Sequence, residues 1–305
     1  MTDTHQTIFK NFDSLVVPID KLSNYLFAAD VKNIDNIIED KRLKILSPVK
    51  IIFPKDENGN NIILTPFEKL ILNVLLSAQE VGNEFISYSK LFHLLGGGDK
   101  LFGNANKMNE VIDKALWKLR CTDLTVNLTD IVSKRKKYAN KLNAPFNDTN
   151  KRIIEWRGVL FPNEIVSTRI NGKNSKSVIH FLGKSIILRI ADLKDQVARA
   201  DLNLLAVPIR TTENTLTLIG YLLERILKIK GSNDESRTHV TKLSNIISFE
   251  TLFRQCGISA EDKRQRYKIR QTVTEILTFF KEQKFIADYS LDKSTDGDFS
   301  IKISF

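Results

Sequence analysis

Residues 248–283 of the chain read SFETLFRQCGISAEDKRQRYKIRQTVTEILTFFKEQ, and they contain the clearest secondary-structure signals in the sequence. Ser248 is a preferred helix N-cap, and it is expected to begin a short helix that ends at Gly257. Ser259 is expected to cap a longer helix over about residues 260–283, with two acidic residues in its first turn, where they suit the helix dipole. A short helix, a tight turn and a long helix in this order predict a helix-turn-helix.

The long helix is predicted to have one buried face and one polar face. Ile269, Val273, Ile276 and Phe280 recur at helical spacing and form the expected core stripe. The opposite face is basic and suits DNA, because arginine and glutamine can read guanine and adenine in the major groove. The alternative is a solvated surface face that happens to be basic. The predicted DNA-binding residues of this helix are Lys263, Arg264, Arg266, Tyr267, Lys268, Arg270, Gln271 and Thr274.

A β-hairpin is predicted directly after this helix. Residues 285–291 and 299–304 are rich in strand-forming side chains and flank a polar turn over residues 293–298. Upstream, residues 215–230 read as an amphipathic helix and Ile246-Ile247 as a short strand. The last third of the chain therefore predicts the order helix, strand, short helix, long helix, hairpin.

A similar order is predicted earlier in the chain. Thr65-Pro66 opens a helix, because threonine is a good N-cap and proline suits the first helical position. A short helix follows from Ser87 and ends at Gly96-Gly97-Gly98, and a third helix is predicted over about residues 106–120. The alternating residues 124–129 then predict a half-buried strand. This is the order of a winged helix-turn-helix, and the two copies share the pattern rather than sequence identity.

These patterns predict an α+β protein with two tandem winged-helix domains, each helical with a β-hairpin wing. The length of 305 residues is enough for two ordinary domains. The expected boundaries are an N-terminal extension over residues 1–60, with a helix and the start of a β-hairpin, a first winged-helix domain over residues 61–200 with connecting strands, and a second winged-helix domain over residues 201–305.

The remaining segments give weaker predictions. Residues 43–65 are expected to form a β-hairpin around a turn at residues 56–60. Residues 9–40 are expected to hold at least one amphipathic helix with Ile34, Ile37 and Ile38 inward. Between the two domains, strands are expected over residues 159–170, 177–182 and 186–190, and a helical bridge over residues 191–206.

The net charge of +10 is concentrated in one part of the chain. Residues 131–200 carry 15 basic and 5 acidic side chains, so this stretch accounts for the whole excess. A cluster within it is predicted to lie at the tip of the first wing and to contact DNA phosphates. The alternatives are a flexible polar loop or a targeting patch. The cluster consists of Lys134, Arg135, Lys136, Lys137 and Lys141.

The helix over residues 106–120 has a mixed outward face. Lys107 and Lys114 are candidate DNA-binding residues, and Lys118 is expected beside them. Glu110 and Asp113 lie on the same face, and acids are unfavourable opposite a phosphate backbone. This helix therefore either skirts the DNA or faces a protein partner.

Composition excludes several classes of protein. Cys121 and Cys256 cannot form a disulfide framework or a four-thiolate zinc site. The N-terminus lacks the apolar region of a signal peptide, and no apolar run approaches the length that spans a bilayer. We expect a cytoplasmic protein with no membrane partner, and the positive charge favours nucleic acid.

No enzyme motif is complete. Residues 96–100 read GGGDK, but the spacing of a phosphate-binding loop is absent and Leu101 replaces the required hydroxyl residue. The four histidines are too scattered for a metal-binding pair: His5, His93, His180 and His239. We expect no enzymatic activity, and no catalytic, cofactor-binding or metal-binding residues.

Several of these segments resemble the plasmid replication initiators that bind iterons through two winged-helix domains. LTPFEKLIL at residues 64–72 is similar to the opening helix of that family, and ISYSKLF at residues 86–92 to its short second helix. Residues 109–119 with the strands after them match the helix and wing that follow. ISFETLFRQCGI at residues 247–258, with residues 267–280, resembles the helix-turn-helix of the second domain.

The resemblance implies a non-enzymatic initiator. Such proteins bind direct repeats of double-stranded DNA in a replication origin, help to open an adjacent A·T-rich region, and recruit the host initiator and helicase. Their dimers often repress their own promoter, with the first domain carrying much of the dimer contact. The resemblance places base reading on Arg264, Tyr267, Lys268, Arg270 and Gln271. The alternatives are a winged-helix transcriptional repressor, and a protein–protein adaptor or helicase loader without intrinsic DNA specificity.

Overall fold

The computed structural model describes residues 9–29, 49–96, 105–129, 132, 136–142, 153–170, 173–233, 242–259, 262–293 and 299–305. Some sequence predictions lie outside these residues: the N-terminal helix face of Ile34, Ile37 and Ile38, and the basic residues Lys134 and Arg135.

Helices and strands are mixed along the described chain, as an α+β fold requires. The helices are α1 (Lys21–Leu26), α2 (Pro66–Glu80), α3 (Tyr88–Leu94), α4 (Ala105–Cys121), α5 (Lys136–Lys141), α6 (Ile186–Leu193), α7 (Glu213–Asn233), α8 (Phe249–Cys256) and α9 (Lys263–Glu282). The strands are β1 (Ser14–Pro18), β2 (Val49–Ile52), β3 (Phe85–Ser87), β4 (Asp123–Asn127), β5 (Glu155–Val159), β6 (Asn163–Ile170), β7 (Lys173–Phe181), β8 (Val197–Asp201), β9 (Ile246–Ser248), β10 (Asp288–Lys293) and β11 (Phe299–Ser304).

One arrangement of elements occurs twice. In the N-terminal unit, which we define as α2, β3, α3, α4, β6 and β7, the sheet order is β3-β7-β6. In the C-terminal unit, defined as α7, β9, α8, α9, β10 and β11, the order is β10-β11-β9. Each sheet is antiparallel, and the short strand before the helix pair joins the second strand of the hairpin. The core register pairs Ile86 with Ile179 and Ile247 with Ile301, all buried.

Helix ends follow the local capping signals. Thr65 and Glu68 form a capping box at the start of α2, as the Thr65-Pro66 signal predicts. Ser248 caps α8, and Gly257 ends it with φ +64°. The N-cap of α9 is Asp262 rather than Ser259, so the helix begins at Lys263. Asp262 satisfies the cap because its carboxylate accepts the backbone N–H of Arg264 at 3.1 Å.

The N-terminal residues form part of the fold. Strand β1 pairs with β8 along its full length, and Leu15, Val16 and Val17 are buried. The N–H of Val16 also donates to Ser77 Oγ on α2 at 2.7 Å. Further on, the N–H of Ala29 donates to the carbonyl of Gln255 on α8 at 2.9 Å. Residues 9–29 therefore contact both units.

Three predictions for the connecting segments are wrong. Strand β2 pairs with β4, not with residues 61–65, although the predicted turn at residues 56–60 is present and closed by a bridge between Lys55 and Asn61. Helix α6 replaces the strand expected at residues 186–190, since a short apolar run does not distinguish strand from helix. The expected helical bridge contains strand β8 and the 3₁₀ turn Leu202–Leu205.

Candidate nucleic-acid interface

The first half of α9 presents a solvent-exposed basic surface. Every side chain from Lys263 to Lys268 is exposed, and no acid occurs between Lys263 and Thr274. The opposite side of the helix fits the predicted core stripe, with Val273, Ile276 and Phe280 fully buried. The helix is thus held from one side and leaves its N-terminal half open to a large partner.

Two predicted contact residues on this surface are paired with each other. Gln271 Nε2 donates to the hydroxyl of Tyr267 at 3.0 Å, one helical turn apart. Tyr267 is 55% exposed, which is high for a large aromatic side chain. The bond uses one amide hydrogen of Gln271, and a glutamine amide has a second hydrogen and an acceptor oxygen. The pair can therefore read a base edge with a pre-oriented amide.

Arg270 lies between the helix and the hairpin. Its guanidinium stacks on the ring of Phe299 on β11, 4.1 Å from the ring centroid. Lys293 on β10 approaches the same ring at 5.9 Å. The hairpin is further tied to α9 where the hydroxyls of Thr278 and Tyr289 lie 2.8 Å apart. Phe299 therefore contacts two cationic side chains, one from α9 and one from β10, where the helix meets the hairpin.

We expect Phe299→Leu to weaken binding to a preferred DNA duplex about 2–5-fold, because an exposed cation–π contact contributes about 0.5–1 kcal/mol. Binding to random duplex should change less, since the charge of Arg270 is retained. Competition titrations with both duplexes measure this. Phe305→Leu is the matched control, as Phe305 stacks with Lys230 rather than Arg270. An equal loss on both duplexes would contradict a positioning role for Phe299.

On α4, the structure corrects one predicted neighbour of the candidate contacts. Lys118 is buried and pairs with Glu68 at 2.5 Å, so it is not on the outward face. The sequence predicted an outward position for Lys118 from its polar character alone. Its partner Glu68 could not be foreseen, because it is 50 residues away in the chain. Lys114 is exposed, as predicted, while the side chain of Lys107 is outside the description.

The acidic part of the α4 surface is also engaged. Asp113 accepts a hydrogen bond from the hydroxyl of Tyr88 on α3. Burial, and then this carboxylate, raise the pKa of Tyr88 above its usual value. Asp113 therefore links α3 to α4, and Glu110 remains an exposed acid on the α4 surface.

The described part of the basic cluster predicted for the first wing tip lies in the connection between the paired antiparallel strands β4 and β5. Lys136, Lys137 and Lys141 lie on α5, between β4 and β5. Lys137 and Lys141 both bind the carboxylate of Asp195, the latter at 2.9 Å. These two hydrogen bonds lower the pKa of Asp195 to about 2. Strands β4 and β5 form a sheet with β2, separate from the sheet that contains β6 and β7.

The hairpin that corresponds in position to the C-terminal one is β6–β7. Its two strands pair with Ile170 opposite Lys173 and Thr168 opposite Lys176. Residues 165–191 contain no acid, and Arg169, Lys173 and Lys176 lie close together in sequence around the point where the two strands connect. These residues are not among the predicted contacts, although Asn-Gly between strand-like runs is a strong hairpin signal.

Other kinds of site have little support in the described residues. Within them, no group of three or more histidine, cysteine, aspartate or glutamate side chains could hold a metal ion. Cys256 is buried, and burial raises the pKa of its thiol. Among the helices of the described chain, none is both long enough and apolar enough to cross a membrane.

Comparison with known proteins finds similar solved structures but no protein family. No protein-family model matches the chain, and no curated protein matches it. Two crystal structures of domains 2 and 3 of RctB are similar at 11% sequence identity. One has a TM-score of 0.47 over 93% of this chain and 96% of that chain. The other, a selenomethionine derivative, has a TM-score of 0.41 over 94% and 99%. A likeness this distant carries no functional conclusion.

Proposed function

We propose that this chain is a sequence-specific double-stranded DNA-binding protein made of two winged-helix units. The observation that carries the proposal is the exposed, acid-free N-terminal half of α9, from Lys263 to Thr274, beside a hairpin that packs against it. A recognition helix inserts its N-terminal residues into the major groove, and a wing lies along the adjacent backbone. Arg264 and Gln271 are the proposed base-reading residues, because their side chains can form bidentate contacts with guanine and adenine.

Within this class, we propose initiation of plasmid or mobile-element replication as the biological role. The support is the resemblance of segments 64–72 and 247–258 to iteron-binding initiators. Origin repeats, a host initiator and helicase, and a homodimer formed through the N-terminal unit are the partners that this role requires. The second candidate is a transcriptional repressor, which the same basic helix would serve equally well.

The test is selection of bound duplexes from a random pool by the purified full chain, followed by a search for the selected motif next to its gene. Several direct repeats support an initiator, and a single palindrome at the promoter supports a repressor. Absence of any selected motif at about 150 mM salt, where backbone contacts alone are weak, would overturn sequence-specific binding. Absence of salt-dependent duplex binding altogether would favour the adaptor or helicase-loader alternative.

A separate prediction concerns the N-terminal unit, where β6–β7 takes the place of the wing. Replacing Arg169, Lys173 and Lys176 by alanine should weaken binding to all duplexes and reduce the salt slope by about 2–3, since each phosphate contact contributes about 0.9. Filter binding between low and moderate salt measures the slope. Lys137→Gln with Lys141→Gln is the comparison, because Asp195 already binds both lysines.

The outcome shows which basic segment contacts the phosphate backbone of the DNA. A larger loss of slope for the Lys137 and Lys141 variant would instead support the cluster at residues 134–141 as the phosphate contact.

A further inference from the structure

The first helices of the two units pack against each other at backbone distance. Gly220 on α7 faces α2 so closely that a Cβ at this position would lie 2.9 Å from the carbonyl oxygen of Pro66. The same Cβ would lie 3.3 Å from the Cβ of Leu70. No side chain separates the helices at this point, so α2 and α7 form one continuous packed layer.

Beside this contact lies a buried group of charges, which we call the interhelix charge cluster. It consists of Glu68, Lys69 and Lys118 from the N-terminal unit and Glu224 and Lys228 from the C-terminal unit.

The link between the units is Glu224 Oε1. It accepts from Lys69 on α2 at 2.7 Å and from Lys228, one turn along α7. The side chain of Lys69 is only 2% exposed, and its ammonium also donates to Asn24 on α1 at 3.3 Å. A lysine that is this buried and this well bonded cannot move away from α7 without leaving Glu224 without its partner across the α2–α7 interface.

The cluster continues to the candidate DNA-contacting helix of the N-terminal unit. Glu68, the neighbour of Lys69 in α2, binds Lys118 on α4 through one carboxylate oxygen. Its other oxygen accepts from the backbone N–H of Thr65 at 2.7 Å. Charged contacts therefore run from α4 through α2 to α7.

A gain in stability is a weak explanation for these buried charges. Burial disfavours the charged forms, and it lowers the pKa of Lys228 to about 8. Burial also opposes ionisation of Glu224, but Lys228 and Lys69 outweigh it, so the pKa of Glu224 lies below its usual value. Replacing a buried ionic group by apolar residues of similar volume is often neutral or stabilising. What such a group can supply is a single allowed arrangement of the elements that it joins.

We propose that Lys69, Glu224 and Lys228 are positioning residues that hold the two units in one relative arrangement, and so set the spacing between their DNA contacts. The fixed arrangement of the two units is inferred from the contacts of the cluster alone. The statement about DNA spacing rests on the proposed function.

The test compares a charged and an apolar version of the cluster. The triple variant Lys69→Met, Glu224→Met, Lys228→Met keeps side-chain volume and should melt at or above the temperature of the parent chain. With Cys121 and Cys256 replaced by serine in every protein, spin labels at Lys50→Cys and Lys302→Cys, both exposed and one near each unit, report the distance between units by double electron–electron resonance. We expect one narrow distance in the parent and a broadened or second distance in the variant. A native, narrow distance in the triple variant would overturn the proposal.

Two controls keep the result decisive. Glu80→Gln breaks the exposed ion pair of α2 with Arg199 and should leave the distance unchanged. Glu224→Gln removes one charge and keeps the shape and an acceptor oxygen of the side chain. It takes the place of the triple variant if that variant does not fold, and it should broaden the distribution of distances between the two labels. Failure of both cluster variants to fold would assign the cluster to stability and contradict a positioning role.

A DNA-binding measurement distinguishes failure of this proposal from failure of the proposed function. On a selected duplex, insertion of one base pair between the two contacted segments should cost the parent at least about 10-fold in affinity, as for a lost base contact. The triple variant should lose less than the parent does. If neither protein binds duplex, the proposed function fails, while the distance measurement still decides the role of the cluster.

Discussion

Replacing Arg264 and Lys268 together by glutamate is expected to weaken binding to the preferred duplex by at least about 100-fold at about 150 mM salt. Loss of a base-reading arginine alone costs about 1–3 kcal/mol, and each reversed charge adds repulsion from phosphates. Both side chains are exposed, and position 264 lies in the first turn of α9, where an acid suits the helix dipole, so the fold should be little affected. Fluorescence anisotropy against salt concentration, with a melting curve for each protein, measures both effects.

The control is a charge reversal of the same size elsewhere. Lys50→Glu with Lys55→Glu changes the net charge equally on exposed residues that precede α2. If this pair weakens binding as much as the α9 pair, the effect comes from net charge alone and α9 is not the contact surface. Gln271→Ala complements the test, since it should cost about 1–3 kcal/mol and relax specificity at one base position.

The second large effect concerns stability. Gly96→Ala is expected to lower the free energy of unfolding by about 2–5 kcal/mol, adding backbone strain to overpacking. Gly96 has φ +85°, a conformation that favours glycine, and a Cβ would lie 2.1 Å from the carbonyl oxygen of Leu205. The obstacle is backbone and cannot rotate away. Urea denaturation of the full chain measures the change.

Two other glycines separate the two causes. Gly59 has φ +79° with nothing within 4 Å of a Cβ, so Gly59→Ala should show only the conformational cost, about 1–2 kcal/mol. Gly158 has neither feature, and Gly158→Ala should be nearly neutral. The expected order of losses is Gly96, then Gly59, then Gly158. Equal losses at Gly96 and Gly59 would show that the contact with Leu205 yields easily.

Much of the C-terminal unit could be predicted because its signals are local. The cap at Ser248, the glycine at position 257 and the core stripe of α9 each depend on residues within a few turns of one another. The start of α9 differed by a few residues, since Ser259 and Asp262 are both good caps and only the geometry selects one. The side-chain pair of Tyr267 and Gln271 also follows from helical spacing.

The N-terminal unit was predicted less well because its pairing is long-range. Two successive strand pairs, β4–β5 and β6–β7, both look like hairpins in sequence. Only the pairing of β3 with β7, across more than 80 residues, shows which hairpin belongs with β3 and α3. The ion pair of Lys118 with Glu68 could not be predicted for the same reason, because an ion pair between two distant helices leaves no local pattern in the sequence.

The pairing of β1 with β8 has a consequence for the chain as it is being made. Ser14 lies opposite Asp201, so nearly two thirds of the sequence must be translated before the first strand meets its partner. At a synthesis rate of about 5–20 residues per second, the pairing edge of β1 waits about ten seconds or longer for β8, although α2, which β1 also contacts, is made much earlier. During that time the backbone N–H and C=O groups on this edge of β1 lack the partners that β8 supplies in the folded protein.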